Sequence, residues 1–532
     1  NSPNVVTSLS STKPDVNASH QRTGTDFSIL IPPGEALIFK YNNSNSGLEQ
    51  YIFPTYQNLT STSIQAIDKS PEWLQNDLRV VLTQLSSGIQ DKWANAIINA
   101  QDPYVDEIAF AISALSPEYL SSTYAYTEML DINAEYIYKY DSLFNYVEIV
   151  DYGTSADEDY YTTASYKIVN GANDTVNIEI PKETYYWYVV HPQINSEIPA
   201  FVKPDQHESS ATIGLTNPQN GVFWRTYMFE HNDTDIPNGD FGSYTSSVNA
   251  NALITADDNG VDSTEFETLA QTILDSLQNI EIYWDSIPLG VASPYMMESY
   301  YPQNALALIN RYAWSCGRFW SVGAVERPHQ PVRILKWGIG RCGEYEDLTV
   351  ALGRTALIPV TGIEGLSSDH VFNCFYDPLT QASNTDYNID NWKVWETTIT
   401  GFVNSYINHD GNGGRWASLN FMRSDGFTYP IIEQFSNGTG TLTINVRDEY
   451  AKPIDGAHVV IAAKSSTTTD IYLDNAGTTD QNGQVIFRVG DQRVYYAKVF
   501  AEGQETPTGN SVSGVSNNQE VQDGQNYSST FT

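Results

Sequence analysis

Three cysteines in 532 residues cannot form a disulfide scaffold, and without a C-x-x-C pair a structural zinc site has no ligand pattern. Basic residues are scarce too: 27 Lys and Arg face 64 Asp and Glu, for a net charge of −37. No basic footprint is left to neutralise phosphates, which excludes nucleic acid as a partner. Docking on anionic lipid fails on the same ground. No run of eighteen apolar residues occurs, so no transmembrane span is expected. The first residues, Asn1-Ser2-Pro3-Asn4, lack a Met and an apolar signal core, as a mature end left after processing or a trimmed end would.

What is present is enough for several cores. The length suggests two to four domains, and 41% hydrophobic with 12% aromatic residues can fill them. Glycosylation sequons N-x-S/T stand at Asn17, Asn42, Asn58, Asn173, Asn232, Asn437 and Asn526. With the acidic surface they point to an extracellular or cell-surface protein.

The expected fold class is α+β and multidomain. Residues 1–26 form a polar arm and 27–140 a mainly helical region, with short strands at Phe27–Ile31 and Ala36–Phe39 around the turn Pro32-Pro33-Gly34. Ser70-Pro71-Glu72 opens a helix with proline at its first position. Leu74, Leu78, Val81, Leu82 and Leu85 share its inner face and Gly88 ends it. Further helical patterns cover 90–100, 103–115 and 117–139. From 141 to 255 the period is two, and stretches at 146–150, 160–169, 176–180, 185–190 and 221–225 read as strands of an antiparallel sheet. The region 256–436 opens on an acidic loop in which Asp257, Asn259 and Asp262 resemble half an EF-hand, but Phe266 stands where the bidentate Glu belongs. Calcium is the one ion considered there; the other reading is an acidic loop capping the helix begun by Thr264-Glu265-Phe266-Glu267. No other cofactor or metal is expected.

Chemistry concentrates between Gly340 and Thr398. Cys342 follows Gly338-Ile339-Gly340-Arg341 and precedes a run with Tyr345, Leu348, Leu352 and Ala356 on one face, ended at Ile358-Pro359. A thiol at a helix start becomes a thiolate more readily, and the flanking glycines let a substrate backbone approach. His370 opens a strand, with Phe372, Cys374 and Tyr376 on its face. Glu396 shares a face of the next strand with Trp392 and Val394, where a carboxylate can hold the imidazole. Cys316 and Cys374 either pair or remain small core residues. The other histidines lack ligand spacing and read as surface or packing residues.

The blocks G-R-C-G-E-Y-x-D-L, I-P-V, D-H-V-F-N and W-x-V-W-E resemble the core of the transglutaminase-like superfamily, in the form shared by peptide:N-glycanases and archaeal transglutaminase-like surface proteins. The resemblance covers about residues 300–400 and implies a papain-like α+β core. By it Cys342 is the nucleophile, His370 the general base and acid, Glu396 the orienting carboxylate where the family usually has Asp, and the Cys342 N–H an oxyanion donor. The implied reaction is acyl transfer or hydrolysis at an amide of a protein or glycopeptide substrate. Residues 437–505, with P-I-x-G-A-x-V and T-D-x-N-G-x-x-x-F, resemble the β-sandwich of transthyretin-like and carboxypeptidase-regulatory-like domains, which implies no catalysis. Residues 506–532 are expected to be a flexible tail. Two other functions fit the composition: a self-assembling surface-layer or filament subunit that retains the enzyme-like core, and a glycan or cell-wall binding protein.

Overall fold

The computed structural model describes residues 21–23, 26–28, 38–41, 48–52, 59–231, 270–285, 304–319, 327–379, 391–396, 402–403 and 416–532. Inside these ranges, 171, 196, 209–212, 272, 317, 338, 369, 426–427, 437, 466–469, 502 and 517–518 are excepted. Helices and antiparallel sheets make it a mixed α+β protein. The chain divides into two compact units, 1–135 with 150–162, and 136–149 with 163–532.

In the first unit, α1 (Ser61–Lys69), α2 (Glu72–Thr83), α3 (Ser87–Asn99) and α4 (Val105–Ala114) follow one another closely. Thr60 caps α1 by accepting the Ser63 N–H at 3.0 Å. Leu74, Leu78, Val81 and Leu82 form the buried face expected for α2. Two details differ from expectation. Pro71 takes the N-cap position, and Gly88 lies in the first turn of α3, whose N-cap position is Ser86. The pattern over 117–139 is broken at Ser121-Ser122-Thr123, residue types that favour turns over helix interiors. It becomes α5 (Pro117–Leu120) and α6 (Glu128–Asp141). Near the start, 21–23 pairs with 26–28 and 38–41 with 48–52, while Pro32-Pro33-Gly34 lies outside the described residues.

The second unit contains β1 (Tyr161–Val169) from Thr163 onward, and this strand pairs antiparallel with β2 (Thr175–Glu179) and parallel with β3 (Trp284–Asp285). The stretch 185–190 is not a strand. A short helix, α7 (Lys182–Tyr185), continues into a wide helical turn over Tyr186–Val190. Tyr185, Tyr186, Tyr188, Val189 and Val190 are all buried, so packing on both sides of the turn overrides the β preference of each residue. Likewise Val222 makes only an isolated bridge to Val202 before Trp224 opens α8 (Trp224–Glu230). The helix expected from Thr264 is described only over 270–277, and there Ile273 and Leu277 are buried.

The centre of this unit is helix α11 (Cys342–Thr355), preceded by α9 (Ala305–Cys316) and α10 (Pro331–Trp337). Beside it runs an antiparallel sheet of β4 (Val360–Gly365), β5 (His370–Tyr376), β6 (Trp392–Glu396), β7 (Phe402–Val403), β8 (Asn420–Met422) and β9 (Thr428–Pro430). The strand order is β7-β6-β5-β4-β8-β9. Gly353 allows close approach, since a Cβ there would lie 2.6 Å from Val360 Cγ1. Two buried tyrosines hold the far end of α11. The Tyr146 hydroxyl donates to Ala356 O (2.7 Å) and the Tyr166 hydroxyl to Leu357 O (2.6 Å). Leu357 itself has φ +58°, the left-handed turn that stops the helix.

Seven more strands follow: β10 (Thr439–Val446), β11 (His458–Lys464), β12 (Ile471–Thr478), β13 (Gln484–Gly490), β14 (Tyr495–Ala501), β15 (Gln504–Thr506) and β16 (Ser513–Gly514). The last is β17 (Asn526–Phe531), and Leu442, Ile444, Val459, Ile461, Val489 and Ala497 from both sheets share one core. The expected tail is part of this structure: β17 pairs in parallel with β10 from Thr441↔Asn526 to Val446↔Phe531, and Phe531 enters the core. These sheets bind the segment ahead of β8. Gly490 N–H donates to Ala417 O (2.7 Å) and Tyr495 OH to the same carbonyl (3.0 Å).

Candidate active site

Cys342 is the first residue of α11, so the positive end of the helix falls on the thiol. Glu344 fixes that turn: its Oε2 accepts the Arg341 N–H at 2.8 Å, and its other oxygen pairs with Arg327. A Cβ on Gly340 would stand 2.4 Å from Glu344 Cβ, so Gly340 makes room for the helix rather than for a ligand. At Gly343 the nearest atom would be Arg327 Nη2 at 3.8 Å, which leaves space for a substrate backbone.

The structure brings Cys342 and His370 into contact. Burial pushes the half-buried thiol up, but a hydrogen bond to His370 and its charge outweigh this, with help from the Val371 and Gly343 backbone N–H groups. The thiol therefore sits below its ordinary value. The imidazole packs beside two aromatic rings that also touch each other, Phe372 at 5.9 Å and Trp416 at 6.0 Å and 15°. Trp416 is wholly buried. Asn373 ties the strand to the helix by donating to Glu346 O at 3.0 Å.

Glu396 ends β6, whose ladder with β5 runs from Tyr376↔Trp392 to Asn373↔Trp395. Continuing that register sets position 396 opposite Phe372 and diagonal to His370. Its side chain lies outside the described residues, as does the side chain of Cys316. Cys374 is a free, buried thiol that burial pushes well above its usual range, so neither it nor Cys342 is bridged. The calcium candidates Asp257, Asn259 and Asp262 lie outside the described residues, with Asn17, Asn42, Asn58, Asn232 and Asn437. Asn173 and Asn526 are exposed. Among the described residues no group of three or more acidic, His or Cys side chains is arranged to hold a metal, and no helix is long and apolar enough to cross a membrane.

No match is found among family models or curated proteins.

Next to Gly343 and Val371 opens a cavity of about 360 Å³ whose wall includes Asn195, Glu346, Asp347, Glu364 and Met422. Glu346 and Asp347, acids in the first turns of α11, are buried rather than solvated. Burial, then the nearby Glu197 carboxylate, raises Glu346 to about 8. Burial and Glu346 hold Asp347 well above the carboxylate range. Arg354, buried on the same helix, opposes this for Glu346, donates to Gln193 O at 2.8 Å, and is itself lowered by burial to about 10. Trp416 was missed as well, because it follows the Gly-rich run Gly411–Gly414 that carries no periodic signal.

Proposed function

We propose that the protein is a transglutaminase-like thiol enzyme that performs acyl transfer or hydrolysis at an amide. One observation carries the reading: a thiol at a helix start is held below its usual pKa by a neighbouring imidazole in spite of burial, beside an open cavity. His370 takes the thiol proton, and the Cys342 sulfur attacks the carbonyl carbon as the C=O electron pair moves to oxygen. The Cys342 N–H at the start of α11 has no acceptor within the helix and can meet that oxygen. Collapse of the intermediate breaks the C–N bond, and the leaving amine takes the proton from His370. Water or an amine then attacks the thioester, gives its proton to His370, and releases the Cys342 thiolate. Glu396 is the residue we assign to orient His370. The test is labelling of the native protein with a thiol probe: Cys342 should react, and lose most of that reactivity in His370→Ala. An unreactive Cys342 would sink the proposal.

The two C-terminal sheets fit a transthyretin-like β-sandwich with no catalytic part, and the exposed Asn173 and Asn526 suit an extracellular or cell-surface setting. A second reading, a surface-layer or filament subunit, has one observation in its favour. The edge strand β12 exposes Ile471, Tyr472 and Leu473 at its start, ahead of Asp474, whose carbonyl accepts from Ser418, and an exposed edge end of this kind can pair with another chain. Electron microscopy of the purified protein would decide: regular assemblies support it, and a monodisperse solution speaks against it.

A further inference from the structure

The C-terminal sheets place one buried acid against the segments that carry His370 and Trp416. Asp474 is the buried residue of β12, and its carboxyl is shut off from water. Burial raises its pKa, while the hydroxyls of Ser367 and Ser418, the Arg493 guanidinium and the Ser418 N–H face it and oppose that rise. Its oxygens and the Ser367 hydroxyl stop short of full hydrogen-bond geometry, so these groups act on the carboxyl through their dipoles and charge. Ser418 is tied in a second way, since its hydroxyl donates to Asp474 O at 3.3 Å. A buried acceptor short of donors is costly, and a carboxyl accepts from hydroxyls whether or not it holds a proton.

The two serines stand on the two segments that place the imidazole. Ser367 lies in the 3-10 turn Leu366–Ser368 between β4 and β5, three positions before His370, and β12 packs on that turn. Ser418 lies two positions after Trp416, whose ring stacks on the imidazole of His370. It belongs to the run that also accepts from Gly490 and Tyr495 at Ala417 O. Asp474 therefore meets both the chain that delivers the imidazole and the run that delivers the ring beside it. An apolar residue of the same size would fill the space and leave the serine hydroxyls without an acceptor, so packing alone does not account for an acid here.

We propose that Asp474 is a positioning residue for His370: from the C-terminal sheets it holds the Ser367 turn and the Ser418 run together, and so keeps the imidazole against the Cys342 thiol. Buried as it is, it touches no substrate. Its effect on turnover rests on the reading of Cys342 as nucleophile; its effect on the imidazole does not.

Alkylation of Cys342 against pH, in the full-length protein, tests this. Asp474→Ala takes the acceptor from both serines, so the thiol should lose part of its contact with His370 and its profile should move to higher pH. Alkylation at neutral pH should slow about fivefold, because a fraction of an ångström at such a contact is enough. Asp474→Asn keeps the size and a carbonyl acceptor, and should restore most of the rate. Thermal unfolding separates positioning from packing: a lowered midpoint with an unmoved alkylation profile, or an Asn variant no better than Ala, overturns the proposal. If Asp474→Ala does not fold, Ser367→Ala, which leaves β12 intact, decides in its place. A profile moved the same way then supports the proposal, and an unmoved one overturns it. If Cys342 is unreactive in the parent protein, the nucleophile reading fails while the imidazole still reports. Its ring protons, assigned by NMR against His370→Gln, should titrate with a midpoint displaced by at least about half a pH unit in Asp474→Ala. An unchanged titration overturns the proposal.

Discussion

Replacing Gly490 with alanine should disturb the proposed active site around Cys342 and His370 from the C-terminal sheets. A Cβ at that position would lie 1.8 Å from the Trp416 carbonyl oxygen, where real contacts stay beyond 3.0 Å, so something must move by roughly 1.2 Å. The obstacle is main chain and cannot rotate away. Overpacking of this kind costs about 1–3 kcal/mol. Losing the Gly490 N–H to Ala417 O bond adds about 1 kcal/mol. The expected loss is therefore ~2–4 kcal/mol, read from urea unfolding. The same shift moves the Trp416 ring against His370, and a displacement of about an ångström at a catalytic group can lower a rate by ~100-fold. Turnover of an activated ester, alongside Cys342 alkylation measured against pH, reports that second effect. Gly88→Ala is the control, because a Cβ there meets nothing within 4 Å. As a helix substitution it should gain up to about 1 kcal/mol. If Gly490→Ala unfolds within about 0.5 kcal/mol of the parent and alkylates with the same profile, the argued link between these sheets and His370 is wrong.

Other outcomes follow from the same geometry. His370→Ala removes the main influence that lowers the thiol while burial remains, so the alkylation profile of Cys342 should move to higher pH; an unmoved profile would deny the contact. Tyr166→Phe leaves Leu357 O without its donor and should cost about 1–3 kcal/mol in thermal unfolding. Glu346 is raised by burial to about 8 from an ordinary 4.5, so the folded state keeps a proton that the unfolded chain gives up. Stability should therefore fall as pH rises from about 4.5 to 8. Asp347, Glu197 and Glu364 face it with the same sign and Arg354 opposes. Glu346→Gln should flatten that slope in urea midpoints taken across the range, and an unchanged slope would place the proton elsewhere.

The helix start at Cys342 and the strand at His370 were legible because both signals are local: a glycine-flanked cap and an apolar alternation. The acids Glu346 and Asp347 were not, because whether a charged helical residue faces water or a cavity depends on what packs over it. Here that is Asn195, distant in the chain. The run Tyr185–Val190 misled for a related reason. Each residue favours a strand, yet Pro181-Lys182-Glu183 starts a helix and burial on both sides keeps it. Position 396 was placed on the correct strand, while the Asn and Ser content of the last thirty residues concealed the two aromatics, Tyr527 and Phe531, that fasten β17.

The parallel pairing of β10 with β17 also bears on the time course of folding. It joins Thr441 to Asn526, so a loop of more than eighty residues must close before that ladder can form. Closures over such separations are slow compared with the growth of helices like α2 or α11. During refolding, helical signal should return first and the platform under Trp416 later, so esterase activity should lag circular dichroism. A chain halted before that closure would hold Cys342 at its helix tip with the ring beside His370 still unsupported.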